Sequence, residues 1–291
     1  QSRPTMFARL TRFARDAVKA SAVSATAVVA VKFSSKVSST SAEGSPSRPK
    51  TKVLITGFHD WRELDGNIWR CRDNPSCRLL LGASSPSPSI VRNGPLPQHL
   101  AALDADFTFI TLPVVWGTSA GLDLLKYDVV IHLGLGVYDR HDLVLIENDA
   151  YNMRNGSDAL ASQPPGHTLE MGNGQVLKRE RGMGARYNAL QGTTSSSLPG
   201  EFSLSLVEAR AANSYICNET HWRALKAQSI AASEGSDLWA SAGPKLTAAY
   251  FVHLPYAKED DHQALAVAVA ETIRRILHVE DQLRGTGNAR D

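Results

Sequence analysis

Six short apolar runs constrain the fold of this chain more than any other feature. They read KVLITGF (52–58), FTFITLPVVWG (107–117), YDVVIHLGLG (127–136), DLVLIE (142–147), FSLSLVE (202–208) and AAYFVHLPY (248–256). Each is continuous in hydrophobicity rather than alternating, which is the pattern of strands covered on both faces in a mostly parallel α/β sheet. Two helices are legible as well. Over 260–283, Leu265, Val269, Ile273, Ile276 and Leu283 recur on one face, and 218–233 reads as a second helix that starts directly after Cys217. With 291 residues, 43% hydrophobic and 21% charged, the chain is long enough for one large α/β domain or two small ones.

The net charge of +2 hides an asymmetry. Residues 1–50 carry nine Lys/Arg against Asp16 and Glu43, a local charge of +7; the remainder carries 22 basic against 27 acidic groups, or −5. A mildly acidic folded part argues against nucleic-acid binding there. The basic start places Phe7, Leu10, Phe13, Ala14, Ala17 and Val18 on one helical face, with Arg9, Arg12, Arg15 and Lys19 carrying charge. An amphipathic, Arg- and Ser-rich, acid-poor segment has the pattern of a mitochondrial or plastid transit peptide, the alternative being a disordered basic tail on a cytoplasmic protein. The small-residue stretch 20–31 is far shorter than the roughly 20 apolar residues of a membrane span. The domain expectation is an extension over 1–50, one folded domain over 51–284 and a tail over 285–291. Residues 154–200, rich in Gly, Ser and Pro, are expected to form a long irregular insertion.

The cysteines number three, Cys71, Cys77 and Cys217. An odd count at these spacings suggests neither a disulfide framework nor a zinc site, and points to a reducing compartment. Cys217 lies between the strand-like NSYIC and a helix, where the positive end of the macrodipole favours thiolate over thiol. His253 stands near the end of the last apolar run, just before Leu254-Pro255, on the sheet edge where α/β active sites collect. Glu147 closes LVLIE, and a carboxylate ending a buried strand needs a partner. Singly, each has a structural reading: a core thiol, a satisfied core histidine, a salt-bridged glutamate. Their chain order, Glu…Cys…His, with each at the end of a strand, is one that could supply a nucleophile, a base and an orienter.

Read in order, these stretches resemble the pyroglutamyl-peptidase I (pyrrolidone-carboxylate peptidase) family of cysteine peptidases. TGFHDW (56–61) followed by NPS (74–76) is similar to the family's G-F-x-P-F-G-G…N-P-S. LPVVWG (112–117) is similar to LPVVFG, IHLGL (131–135) to IHVGL, and ENDAYN (147–152) to E-R-x-A-x-N. ANSYICN (212–218) is similar to A-G-x-Y-x-C-N, and FVHLPY (251–256) to F-x-H-x-P.

The resemblance implies a three-layer α/β/α sandwich around a mixed sheet. It implies Glu147, Cys217 and His253 as catalytic residues, with no metal or organic cofactor, acting on a peptide whose N-terminal pyroglutamate is removed. It further implies Phe58, Trp61, Asn74, Tyr215 and Ile216 in the substrate pocket and Arg140, one residue out of register, at the oxyanion. A homo-oligomer or an organellar complex is the expected assembly; a pyroglutamyl-peptidase-like domain recruited as a structural subunit is the alternative. The departures are Trp61 for Phe, Asp60 for Pro, Asn213 for Gly, a longer path to Asn74 and a shortened helix between Gly117 and Tyr127.

Overall fold

The computed structural model describes residues 31–33, 49–62, 68–82, 94–137, 140–169, 179–181, 184–193, 197–209, 214–233, 246–257 and 261–287. In chain order the elements are β1 (Val31–Phe33), β2 (Thr51–Phe58), β3 (Trp61–Arg62), β4 (Ile68–Trp69), α1 (Pro75–Leu81), α2 (Pro95–Leu100), β5 (Ala105–Leu112), β6 (Val129–Val137), β7 (Leu143–Glu147), β8 (Asp149–Tyr151), β9 (Arg179–Arg181), α3 (Gly184–Thr193), β10 (Ser203–Val207), α4 (Ile216–Ser233), β11 (Ala248–Pro255) and α5 (His262–Gly287). All six predicted strands are present. With β1 they form one seven-stranded sheet in the order β1-β5-β2-β6-β11-β7-β10.

The sheet is mixed. β5, β2, β6 and β11 run parallel to one another, β7 is antiparallel to β11 and parallel to β10, and β1 lies antiparallel to β5 at the edge. Alternation along each strand sends side chains to two layers. Val53, Ile55, Val129, Ile131, Leu133, Tyr250 and Val252 face a core built with Leu79, Leu100, Leu190, Leu265, Val269 and Ile273, from α1, α2, α3 and α5. Leu54, Phe58, Val130, Ala249 and Phe251 face the opposite core, which α4 covers with Trp222, Ala224 and Leu225. The architecture is therefore an α/β/α sandwich, and the α4 side is the one that receives Glu147, Cys217 and His253.

Four expectations need correction. Val31–Phe33, inside the expected extension, pairs with Phe107–Phe109; the rest of that basic segment lies outside the described residues apart from its last two positions. The 154–200 stretch is not uniformly irregular: β9 pairs with β8, and α3 buries Leu190 while Arg186 binds Glu280 at 2.8 Å. Its glycines hide a helix whose packing, not its propensity, stabilises it. The C-terminal helix runs on to Gly287, past the expected boundary at 284. Finally, Cys71 and Cys77 form a disulfide, with Cα atoms 5.1 Å apart. The reason is local: the turn in which Asp73 and Asn74 donate to the Arg70 carbonyl folds Cys71 back against the first turn of α1. Counting cysteines could not reveal that, because the odd one out is elsewhere. No helix among the described residues is long and apolar enough to cross a membrane.

Candidate active site

His253 and Glu147 meet across neighbouring strands. In the antiparallel register of β11 and β7, His253 pairs with Leu145 and Phe251 with Glu147. Glu147 Oε1 lies 3.3 Å from His253 Nδ1, with both side chains buried. Burial works against ionising Glu147, but the charge of His253 and the hydrogen bond from it hold the carboxyl below its usual range. Burial likewise disfavours the His253 imidazolium; the Glu147 charge and hydrogen bonding with Cys217 and Glu147 outweigh it and raise the pKa from 6.5 to about 10.

On its other edge, His253 Nε2 is buried without a hydrogen bond of ordinary geometry. Its interaction with the Cys217 sulfur is therefore a loose contact. Cys217 is a free thiol and half-buried. It sits in the first turn of α4, one residue inside the helix rather than just before it.

Two glycines of the IHLGLG run make this approach possible. A methyl group on Gly134 would stand 2.8 Å from the Phe251 ring and 3.2 Å from Cys217 Sγ; one on Gly136 would stand 2.5 Å from His253 Cγ. A larger residue at either of these two positions would displace a ring or the thiol.

α4 is tied down on three sides. The Asn218 side chain accepts from Tyr151 N and donates to the Tyr151 and Met153 carbonyls at 2.8–2.9 Å. This joins the Cys-Asn motif to the segment that follows Glu147. Glu219, fully buried, accepts from Arg154 at 2.8 Å, Arg223 at 2.8 Å and Gly117 N at 3.1 Å. Burial opposes its charge, and the hydrogen bonds from both arginines and Gly117 bring its pKa down. Gly117 itself has φ +79, a conformation that favours glycine. His221, one turn after Cys217, is completely buried and makes a 3.2 Å hydrogen bond to the Glu147 carbonyl. Burial lowers its pKa to about 4 despite Glu147, so its ring is neutral and donates from Nε2. Sequence reasoning missed Asn218, Glu219, Arg154 and His221, although a spacing of four was a signal that His221 shares a helix face with Cys217.

The expected substrate residues separate. Tyr215 is half-buried, stacks edge-on to Trp116 with centroids 5.5 Å apart, and donates its hydroxyl to the Ser157 carbonyl. This pair forms an aromatic wall, with Tyr215 two residues before Cys217 in the chain, and Trp116 was not anticipated. Phe58 and Ile216 are buried in the core rather than open to a ligand. Phe58 lies on the inward-alternating side of β2 against Phe251, which in turn meets His253 edge-on at 4.7 Å. Asn74 also needs correction. Its amide donates to the Phe58 and His59 carbonyls, and its oxygen accepts from Ser76 N and Oγ. With both hydrogens and both lone pairs engaged, it positions the end of β2 and has nothing left for a substrate. Arg140 is exposed and its guanidinium forks onto Asp142 at 2.6–2.7 Å, which places it in a surface pair. The backbone of Trp61 lies in β3, while its side chain and Asn213 lie outside the described residues.

No protein-family model matches the chain, and no curated protein matches it. Solved structures do. Pyroglutamyl peptidase I from Bacillus amyloliquefaciens is similar at 17% identity and TM-score 0.45, covering 79% of this chain and 93% of that one. Pyrrolidone carboxyl peptidase from Fervidobacterium islandicum AW-1 is similar at 18% identity and TM-score 0.47, covering 80% and 99%. A mutant pyrrolidone carboxyl peptidase from the hyperthermophile Pyrococcus furiosus is similar at 19% identity and TM-score 0.47, covering 80% and 100%.

Proposed function

We propose that the protein is a cysteine-type omega-peptidase that removes an N-terminal pyroglutamyl group from peptides, with Cys217 as nucleophile, His253 as acid and base, and Glu147 as orienter. The observation that carries this reading is His253 held between a buried carboxylate and a free thiol at a helix start. The resemblance of the sequence motifs supplies the substrate class.

In the proposed reaction His253 Nε2 carries the proton of the Cys217–His253 pair, and the Cys217 sulfur forms a bond to the pyroglutamyl acyl carbon as the carbonyl electrons move onto oxygen. The tetrahedral intermediate collapses, the C–N bond breaks, and the amine leaves with the proton from His253. Water, deprotonated by the same imidazole, then cleaves the thioester and restores the thiol. Throughout, Glu147 accepts the Nδ1 hydrogen and fixes the tautomer. The first-turn amides of α4 have no acceptor one turn earlier in the helix, so they are the donors available to the oxyanion. The Trp116–Tyr215 wall gives the flat lactam ring an aromatic surface.

The test is release of a fluorogenic amine from its pyroglutamyl amide by the full chain, beside Cys217→Ala. Turnover that disappears in the variant supports the reading. A folded wild type with no turnover, and a Cys217 that resists alkylation near neutral pH, would favour a pyroglutamyl-peptidase-like domain without catalysis, retained as a subunit of an assembly.

A further inference from the structure

The disulfide has a neighbour that gives it a second possible state. The short β3–β4 hairpin reverses the chain, so that Cys71 returns beside His59 and Asp60. There the Cys71 amide donates to Asp60 Oδ1 at 2.7 Å. One imidazole nitrogen of His59 and the sulfurs of Cys71 and Cys77 all lie within 4.8 Å of one another. Asp60 Oδ1 is also 3.4 Å from His59 Nδ1. A carboxylate on one imidazole nitrogen is the arrangement that fixes a metal-binding histidine, leaving the other nitrogen's lone pair to the ion. His59 is held in place by its own amide, which donates to the Leu112 carbonyl, and by its carbonyl, which accepts from Asn74.

We propose that Cys71, Cys77 and His59 form a zinc-class metal site when the disulfide is reduced, with Asp60 orienting His59 from behind. Two thiolates and an imidazole are the donor set that soft and borderline divalent ions select. Zinc–sulfur bonds of about 2.3 Å place two thiolates about 3.8 Å apart in a tetrahedral site. Cα atoms 5.1 Å apart allow that by rotation about χ1. The fourth position goes to water on the side where His59 and Asp60 are partly exposed.

The exchange balances. Two equivalents of an external thiol reduce the disulfide and leave as their own disulfide, giving Cys71 and Cys77 thiols. Binding Zn²⁺ then releases one proton from each, while His59 binds as the neutral ring. Either state closes the same loop. Asn74 and Ser76, between the two cysteines, bond Phe58, and Phe58 packs on the Phe251 ring against which His253 rests. The site is thus a clamp on the end of β2, separate from the Cys217 chemistry and independent of the proposed peptidase reading.

The experiment uses the full chain, reduced under anaerobic conditions and titrated with Co²⁺ and then Zn²⁺. The expected result is one ion per chain, with thiolate-to-cobalt charge-transfer bands and tetrahedral d–d bands that zinc abolishes. Zinc should shield Cys71 and Cys77, but not Cys217, from alkylation in the wild-type protein, a readout that needs no variant. Cys217→Ala should keep the cobalt spectrum, and His59→Ala should lose it. Asp60→Asn should weaken binding by roughly 10–100-fold. Reduced thiols without cobalt bands, alkylation unaffected by zinc, or a spectrum unchanged in His59→Ala would overturn the proposal and leave the pair as a disulfide only.

Discussion

Glu147 Oε1 lies 3.3 Å from His253 Nδ1, both buried and on neighbouring antiparallel strands. The carboxylate is the largest influence favouring the charged ring, against burial that opposes it. Glu147→Gln keeps the shape and removes the charge, so burial then dominates. The His253 pKa is expected to fall well below about 10, as read by NMR titration of the imidazole. Hydrolysis of a pyroglutamyl amide should drop by about 10²-fold or more. A His253 that still titrates near 10 in the variant would show that Glu147 does not set its charge.

Gly136 and Gly134 are expected to be as intolerant of a methyl group as the catalytic residues are of removal. Gly136→Ala brings its Cβ to 2.5 Å from His253 Cγ, which forces the ring off Glu147. Gly134→Ala presses on Phe251 and Cys217. Overpacking of this kind costs about 1–3 kcal/mol, measurable by urea unfolding, with activity lost in both. Gly121→Ala has open space around it and should stay within about 0.5 kcal/mol of wild type. Equal tolerance at all three positions would contradict the close packing described.

The strands and the catalytic candidates were legible because period and position carry them. LVLIE ends on the residue whose alternation sends it to the α4 layer, and the same rule places Phe251 and His253 there. What the sequence hid depends on groups that only three dimensions bring together. Asn74 reads as a substrate contact in a motif, yet its four hydrogen bonds close on Phe58, His59 and Ser76. Phe58 reads as a pocket aromatic, yet Phe251, almost 200 positions away, covers it. The Cys71–Cys77 pair depends on a turn at Arg70–Asn74 that no cysteine count encodes. α3 escaped because its own pattern is weak and its anchor, Glu280, lies in another helix.

Glu219 is the buried anion on which the Gly117 turn, Arg154 and Arg223 converge. Removing one partner of a buried pair leaves the other uncompensated, at a cost of about 3–5 kcal/mol. Glu219→Ala should therefore lower the unfolding free energy obtained from urea denaturation by that amount. Because Gly117 follows Trp116, it should also raise KM for an aromatic-wall ligand more than it lowers kcat. A variant of wild-type stability would mean that Arg154 is satisfied elsewhere.

The buried histidines make stability depend on pH from both directions. His132 and His221 have folded pKa values of about 3 and 4 against 6.5 for an unhindered ring, both lowered first by burial. Between those values the unfolded chain binds the extra protons, so stability falls as pH drops below 6.5. Glu147 adds to the same limb: its depressed pKa stabilises above 4.5 and is lost as pH falls through the folded value. His253 acts oppositely. Its raised pKa stabilises fully below 6.5, and that contribution disappears as pH climbs towards about 10. Urea midpoints measured from pH 4 to pH 10 should peak near neutrality. Glu147→Gln should flatten the alkaline limb, because His253 no longer binds its proton in the folded state. His221→Gln, which keeps a donor for the Glu147 carbonyl, should flatten the acid limb by one histidine's share and leave the alkaline limb standing. If His221→Gln instead alters both limbs alike, the two histidines are coupled through Glu147 rather than titrating as separate groups.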